Sequence, residues 1–261
     1  MNKTAIDLFA GAGGFSLGMK MAGFKVLVAV GIDKWATQTY RLNQKGTIVV
    51  ERDIQTITGE ELMKIAKVKK GELDMLFGGP PCQGFTFISK NRSIDDPRSK
   101  LMYEFIRMVK EIKPKMFLIE NVPGMFAFKD FFIFLMETLE KCKYAVRCLM
   151  MDAVSYGVPQ YRKRIFIQGV REDLGFLPVF PPPTHFSPEQ LKTKEKMFQP
   201  AAVAVECFAI NGFSKEETKD LHWNTVLHIQ MNKKIATDIL DRAINSLIAK
   251  SIKNHLRLNL T

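Results

Sequence analysis

The sequence predicts an α/β fold: a doubly wound, mostly parallel sheet followed by a small, divergent second domain. Three observations predict it. Short β-branched or apolar runs alternate with longer stretches of helical period from the amino terminus to about Val170. A glycine-rich turn, Asp7 to Gly18, joins the first run to the first helical stretch, where such sheets bind ligands. Composition then changes at Leu177 to Pro200, where five prolines between Pro178 and Pro188 exclude regular helix or sheet interior.

Taken in order, the apolar runs predict strands at Thr4–Phe9, Lys25–Val30, Ile48–Val50, Leu73–Phe77, Met116–Ile119, Val146–Met151 and Arg164–Val170. Helical period between them predicts helices at Gly14–Ala22, Lys34–Leu42, Gly59–Ile65, Lys100–Ile112 and Phe131–Lys141. These elements make a first domain of residues 1–176. A hinge and reduced second region follows over 177–232, and Ile235, Ile239, Ile244, Leu247, Ile248 and Ile252 then predict a final helix within 233–261.

The chain has 261 residues, 46% of them hydrophobic, which is enough to bury a full core. A net charge of +11 suits a polyanionic partner. The four cysteines, Cys82, Cys142, Cys148 and Cys207, form no CxxC pair, so neither a zinc site nor a disulfide framework is expected. Glycines and charges interrupt the amino-terminal apolar runs before they reach the roughly 18 residues of a membrane span. The expected setting is cytoplasmic, without a membrane.

Several motifs could carry chemistry. "DLFAGAGGFSLG" lets backbone approach a ligand closely, but it is not GxGxxG and no GK[ST] follows, so a nucleoside-type cofactor is favoured over a dinucleotide or ATP. "ERDI" at Glu51–Ile54 places Asp53 after the third strand, as a ligand or as an ordinary cap. "GGPPCQGFT" at Gly78–Thr86 fences Cys82 behind two prolines that fix φ, a geometry that suits a nucleophile better than core packing. The polar stretch Thr86–Lys100 is long enough to act as a lid. "IENVPGM" ends the fifth strand with Glu120 and Asn121; a buried Glu120 beside a thiol would have a raised pKa and could donate to a ring nitrogen. "QYRKRIFIQG" alternates Gln160, Arg162 and Arg164 onto one face of an extended segment, where arginines need carboxylates or phosphates. Singly, each also fits a stabilising ion pair.

Together with "DPRSKLMYEFIRMVKEIKP", these motifs occur in the order and spacing of the cytosine-C5 DNA methyltransferase family, which the chain resembles from Asp7 to Gly169. The resemblance implies a Rossmann-like methyltransferase fold and S-adenosyl-L-methionine as methyl donor, with S-adenosyl-L-homocysteine as product. The acceptor it implies is a cytosine flipped out of double-stranded DNA, as in DNA methylation by restriction-modification systems. It makes Cys82 the nucleophile toward cytosine C6, Glu120 the partner of N3, and Arg164 the group that holds the cytosine carbonyl and supports Glu120, with Arg162 nearby in the catalytic set. Pro81, Gln83, Gly84, Asn121 and Gln160 would shape the base pocket. Phe9, the turn through Ala10, Gly11, Gly13 and Gly14, and Asp53, Ile54, Pro80 and Leu101 would bind the cofactor.

The chain departs from the family pattern in three places. Gly31 occupies the position of a Glu that holds both ribose hydroxyls, a loss of about 2–3 kcal/mol; Asp33 could partly substitute. Too little chain lies between the hinge and the final helix for a typical target-recognition domain. The tail Asp241–Leu256 resembles the family's last motif only weakly, and packing back on the first domain is expected of it. The function implied is a DNA (cytosine-5-)-methyltransferase, nucleoid-associated if bacterial. One alternative is an inactive or partner-dependent subunit of a split enzyme, DNA- or cofactor-binding, with a second polypeptide supplying target recognition. The other is a tRNA cytosine-5 methyltransferase.

Overall fold

A computed structural model describes residues 3–81, 100–158 and 160–186, and the backbone of 199–200. Cys82, Gln83 and Gly84, the expected lid, most of the expected second region and the expected final helix lie outside the described residues.

The alternating pattern folds as β1 (Lys3–Leu8), α1 (Gly14–Met21), β2 (Phe24–Gly31), α2 (Lys34–Asn43), β3 (Ile48–Glu51), α3 (Gly59–Ala66) and β4 (Met75–Gly78). After the undescribed segment come α4 (Lys100–Ile112), β5 (Met116–Asn121), α5 (Lys129–Lys141), β6 (Tyr144–Asp152) and β7 (Lys163–Arg171). A short pair, β8 (His185–Phe186) and β9 (Gln199–Pro200), lies apart from the main sheet.

The seven strands of the main sheet run in the order β3-β2-β1-β4-β5-β7-β6. Pairing is parallel from β3 across to β5, and β7 is antiparallel to both of its neighbours. Strand order reverses between β1 and β4. That reversal opens a crevice at the carboxyl ends of the strands, where doubly wound sheets place ligands. Because β7 runs backwards, its start, Lys163–Arg164, shares this edge with the end of β5, as the pairing of Asn121 with Ile165 shows.

Both faces of the sheet are covered, so the central strands read as continuous apolar runs. One face packs Ile6, Leu8, Phe117 and Ile119 against Leu62 of α3, Phe105 and Val109 of α4, and Leu135 of α5. The other packs Ala5, Phe77, Leu118 and Phe166 against Phe15 and Met19 of α1 and Tyr156. Burial is what holds α4: Met102, Phe105, Ile106, Met108, Val109 and Ile112 are buried, each contributing about 1.5–3 kcal/mol. Its partly exposed ion pairs are worth a few tenths each. No helix among the described residues is long and apolar enough to cross a membrane.

Candidate active site

Two groups of residues meet at the carboxyl edge, one on each side of the β4 tip. On the first side, β4 ends at Gly78, level with Ile119 of β5, and the chain runs on through Gly79, Pro80 and Pro81 toward Cys82. Glu120 projects from β5 so close to this segment that a Cβ at Gly79 would stand 3.1 Å from Glu120 Oε2. Asn121 Nδ2 donates to the Pro80 carbonyl at 3.2 Å, tying the mount of the cysteine to the strand that carries the glutamate. Arg164 comes from the start of β7 and places Nε 2.7 Å from Glu120 Oε1. Both side chains are about four-fifths buried, 20% and 18% exposed.

Arg162 precedes β7 rather than belonging to it. Its N–H donates to Asp152 Oδ1 at 2.9 Å, which anchors the approach to the strand. Gln160 is half-buried, and its Oε1 is buried with no hydrogen-bond donor among the described residues. An orphaned acceptor at this edge is what a ligand-facing amide leaves in the free protein.

On the other side, a cavity of about 340 Å³ opens between β1, β2, β3 and the start of α4. Phe9, Gly11, Asp33, Asp53, Ile54 and Leu101 line it, together with Pro81, which the sequence reading had placed on the base side. Ala10, Gly13, Gly14 and Pro80, also expected at the cofactor, are not among its lining residues. Phe9 holds φ at 59°, a left-handed conformation that costs a side chain about 1 kcal/mol and clusters at ligand sites. Gly11 also has positive φ, and a Cβ there would meet open space. Gly13, at φ 92°, caps α1, and a Cβ there would strike the Tyr40 ring at 2.7 Å.

Asp53 is both a cap and a wall. Its Oδ1 accepts from Gln55 N–H at 3.0 Å, opening a 3-10 turn over Ile54–Thr56, while the residue faces the cavity. Asp33 likewise caps α2, accepting from Ala36 N–H at 2.8 Å. The sequence reading missed Thr37, Arg52 and Gly79 in the lining. It also missed what sits beneath the glycine turn: Tyr40 Oη donates to Ser16 Oγ at 2.6 Å, and Ser16 Oγ donates to Asp7 Oδ2 at 2.6 Å. Ser16 inside "GGFSLG" was the available signal.

Cys142 and Cys148 are free thiols, and burial pushes both up, Cys148 to about 12. The shift disfavours the thiolate, the nucleophilic form, in both.

The family model for the C-5 cytosine-specific DNA methylase matches residues 3–257. This chain belongs to that family. Among curated relatives of this methylase, the Type II methyltransferase M.AquIA of Picosynechococcus sp. is 43% identical over 195 residues, 71% of this chain and 78% of the relative. The Type II methyltransferase M.XorII of Xanthomonas oryzae pv. oryzae is 41% identical over 183 residues, 69% of this chain but 43% of the relative. A prophage-encoded E. coli protein, described as a DNA modification methyltransferase, superposes with a TM-score of 0.60 at 33% identity. The alignment covers 76% of this chain and 52% of that one, so the chain spans about half or less of the last two proteins. The Entamoeba histolytica methyltransferase EhMeth shares the fold alone, with a TM-score of 0.62 at 16% identity over 100% of this chain and 99% of that one.

Proposed function

We propose that this chain transfers a methyl group from S-adenosylmethionine to C5 of a cytosine flipped out of duplex DNA, through a covalent bond from Cys82 to C6. The observation that carries the reading is the Glu120–Arg164 pair, 2.7 Å apart and largely buried, packed against the Gly79–Pro80 segment that leads into Cys82.

S-adenosylmethionine supplies an electrophilic methyl group on a sulfonium. The residues present suit it: the cavity offers the open backbone at Gly11, apolar contact from Phe9, Ile54 and Leu101, and the carboxylate of Asp53 for an adenine amino group. Arg52, the cation of the lining, is engaged by Glu61 and the Thr56 carbonyl, so the wall is not built for a polyphosphate.

Attack by the Cys82 thiolate on C6 drives electron density toward C5 and N3. Glu120 at N3 shares a proton with the ring nitrogen and relieves that charge. Arg164 fixes the Glu120 carboxyl and donates to the cytosine carbonyl, and Asn121 holds the Pro80 backbone so that the thiol meets one face of the base. C5 would then take the methyl group as its bond to the sulfonium breaks, with the thioether S-adenosylhomocysteine as the leaving group. Loss of the C5 proton to water and departure of the Cys82 thiolate restore the ring.

Purified protein given methyl-tritiated S-adenosylmethionine and duplex DNA of varied sequence should place label on C5 of cytosine, and Cys82→Ser should abolish it. Transfer to no duplex at saturating cofactor contradicts the reading for the isolated chain, and transfer to transfer RNA instead replaces the substrate.

A further inference from the structure

The turn that forms the Asp53–Ile54 wall of the cavity is short. It is a single 3-10 turn, Ile54–Thr56, followed by the start of α3 at Gly59. Its backbone is held from α4. Arg107 Nη2 donates to the Ile54 carbonyl at 3.0 Å and to the Ile57 carbonyl at 2.9 Å. The same guanidinium is gripped on its other side by Glu104, at 2.8 Å from Nε, and by Glu111, at 3.0 Å from Nη1. Glu111 uses its second oxygen to accept from Gly59 N–H. Three backbone groups between residues 54 and 59 are thus bonded to one Arg–Glu cluster on α4.

The seat is also tight. A Cβ at Gly59 would lie 2.6 Å from Glu111 Cβ, so only glycine lets α3 approach α4 this closely. The first turn of α4 carries Leu101, which lines the same cavity as Ile54. Both of these lining residues are therefore positioned by one helix.

We infer that Arg107 is a positioning residue for cofactor recognition, holding the Asp53–Ile54 wall in register with Leu101 so that Asp53 can accept from the adenine amino group. This rests on reading the cavity as the S-adenosylmethionine site. Lysine at 107 keeps the charge but lacks the fork that reaches two carbonyls and two carboxylates together.

The test is calorimetric, comparing wild type with Arg107→Lys for two ligands: S-adenosylhomocysteine, and S-inosylhomocysteine, which lacks the amino group Asp53 would bond. Arg107→Lys should weaken the adenosyl ligand about tenfold and the inosyl ligand less than about threefold. Parallel losses for both ligands, or none, overturn the inference, since a purely stabilising arginine would lower the melting temperature without distinguishing them. If Arg107→Lys does not fold, Glu104→Gln, which frees one side of the guanidinium, should show the same selective loss, and its absence is equally decisive. Wild-type protein that binds neither ligand contradicts the cofactor assignment itself, and so differs from failure of the Arg107 inference alone.

Discussion

Asp7 is fully enclosed, and burial pushes its carboxyl up to about 8 against an ordinary 3.8, only partly offset by the Ser16 hydrogen bond. The folded protein therefore binds a proton at Asp7 that the unfolded chain releases above about pH 4. The stability this contributes is fully present below the unfolded value and is lost as pH rises through about 8. Asp7→Asn, which keeps an acceptor for Ser16, should remove the slope: the urea midpoint of wild type should fall between pH 5 and pH 9 more than that of the variant. Equal declines would place the titrating group elsewhere. Gly31 makes a second case at this scale. A Cβ there would stand 3.3 Å from Thr37 Cγ2, a methyl whose hydroxyl partner is fixed at 2.6 Å to Glu51, the residue level with Gly31 on β3. The neighbour needs to yield only a few tenths of an ångström. Gly31→Glu should tighten S-adenosylhomocysteine about tenfold or more by calorimetry, if the ribose lacks its acceptor. Unchanged affinity would show that a residue such as Asp33 already supplies it.

At the scale of elements, the tip of β4 is the critical mount. A Cβ at Gly78 would fall 2.1 Å from the Leu8 carbonyl oxygen, so the β1 and β4 backbones close to a distance that only glycine permits. Gly78→Ala should cost about 2–3 kcal/mol in a urea unfolding titration, because the two strands must separate. A stability equal to wild type would mean that the sheet edge is looser than described. The elements themselves were largely legible. Lys100–Ile112 matches its expected bounds, since its apolar period runs the full length of the helix. The expected β6 and β7 ran short because Tyr144, Asp152, Lys163 and Arg171 pair through backbone, which is indifferent to side-chain polarity. Lys129 and Asp130 add a polar first turn to α5 that apolar period cannot reveal. The 3-10 turns at Ile54–Thr56, Pro123–Ala127 and Ala153–Tyr156 carry no period at all.

At the scale of the molecule, the alternation of strand and helix was enough to place Glu120, Asn121 and Asp53 at one sheet edge, because parallel strands all end on the same side. Arg164 reaches that edge for the opposite reason, being at the start of an antiparallel strand. Thr37 and Arg107 were not legible, since their roles arise where α2 meets β3 and α4 meets the 54–59 connection, and strand–helix alternation does not encode such approaches. The expected division at residue 177 falls within the described residues, most of the expected second region, 177–232, lies outside them, and the family match runs through to residue 257. A net charge of +11 over the whole chain favours a polyanionic partner. The geometry around Glu120 leads to one decisive measurement: mass spectrometry of the protein after incubation with S-adenosylmethionine and duplex DNA in which 5-fluorocytosine replaces the target cytosine. Fluorine blocks loss of the C5 substituent, so the expected product is a stable adduct joining the Cys82 peptide to a methylated 5-fluorocytosine, absent from Cys82→Ser and reduced in Glu120→Gln. An adduct that persists in Cys82→Ser, or methyl transfer to an exocyclic amine with no adduct, would contradict it.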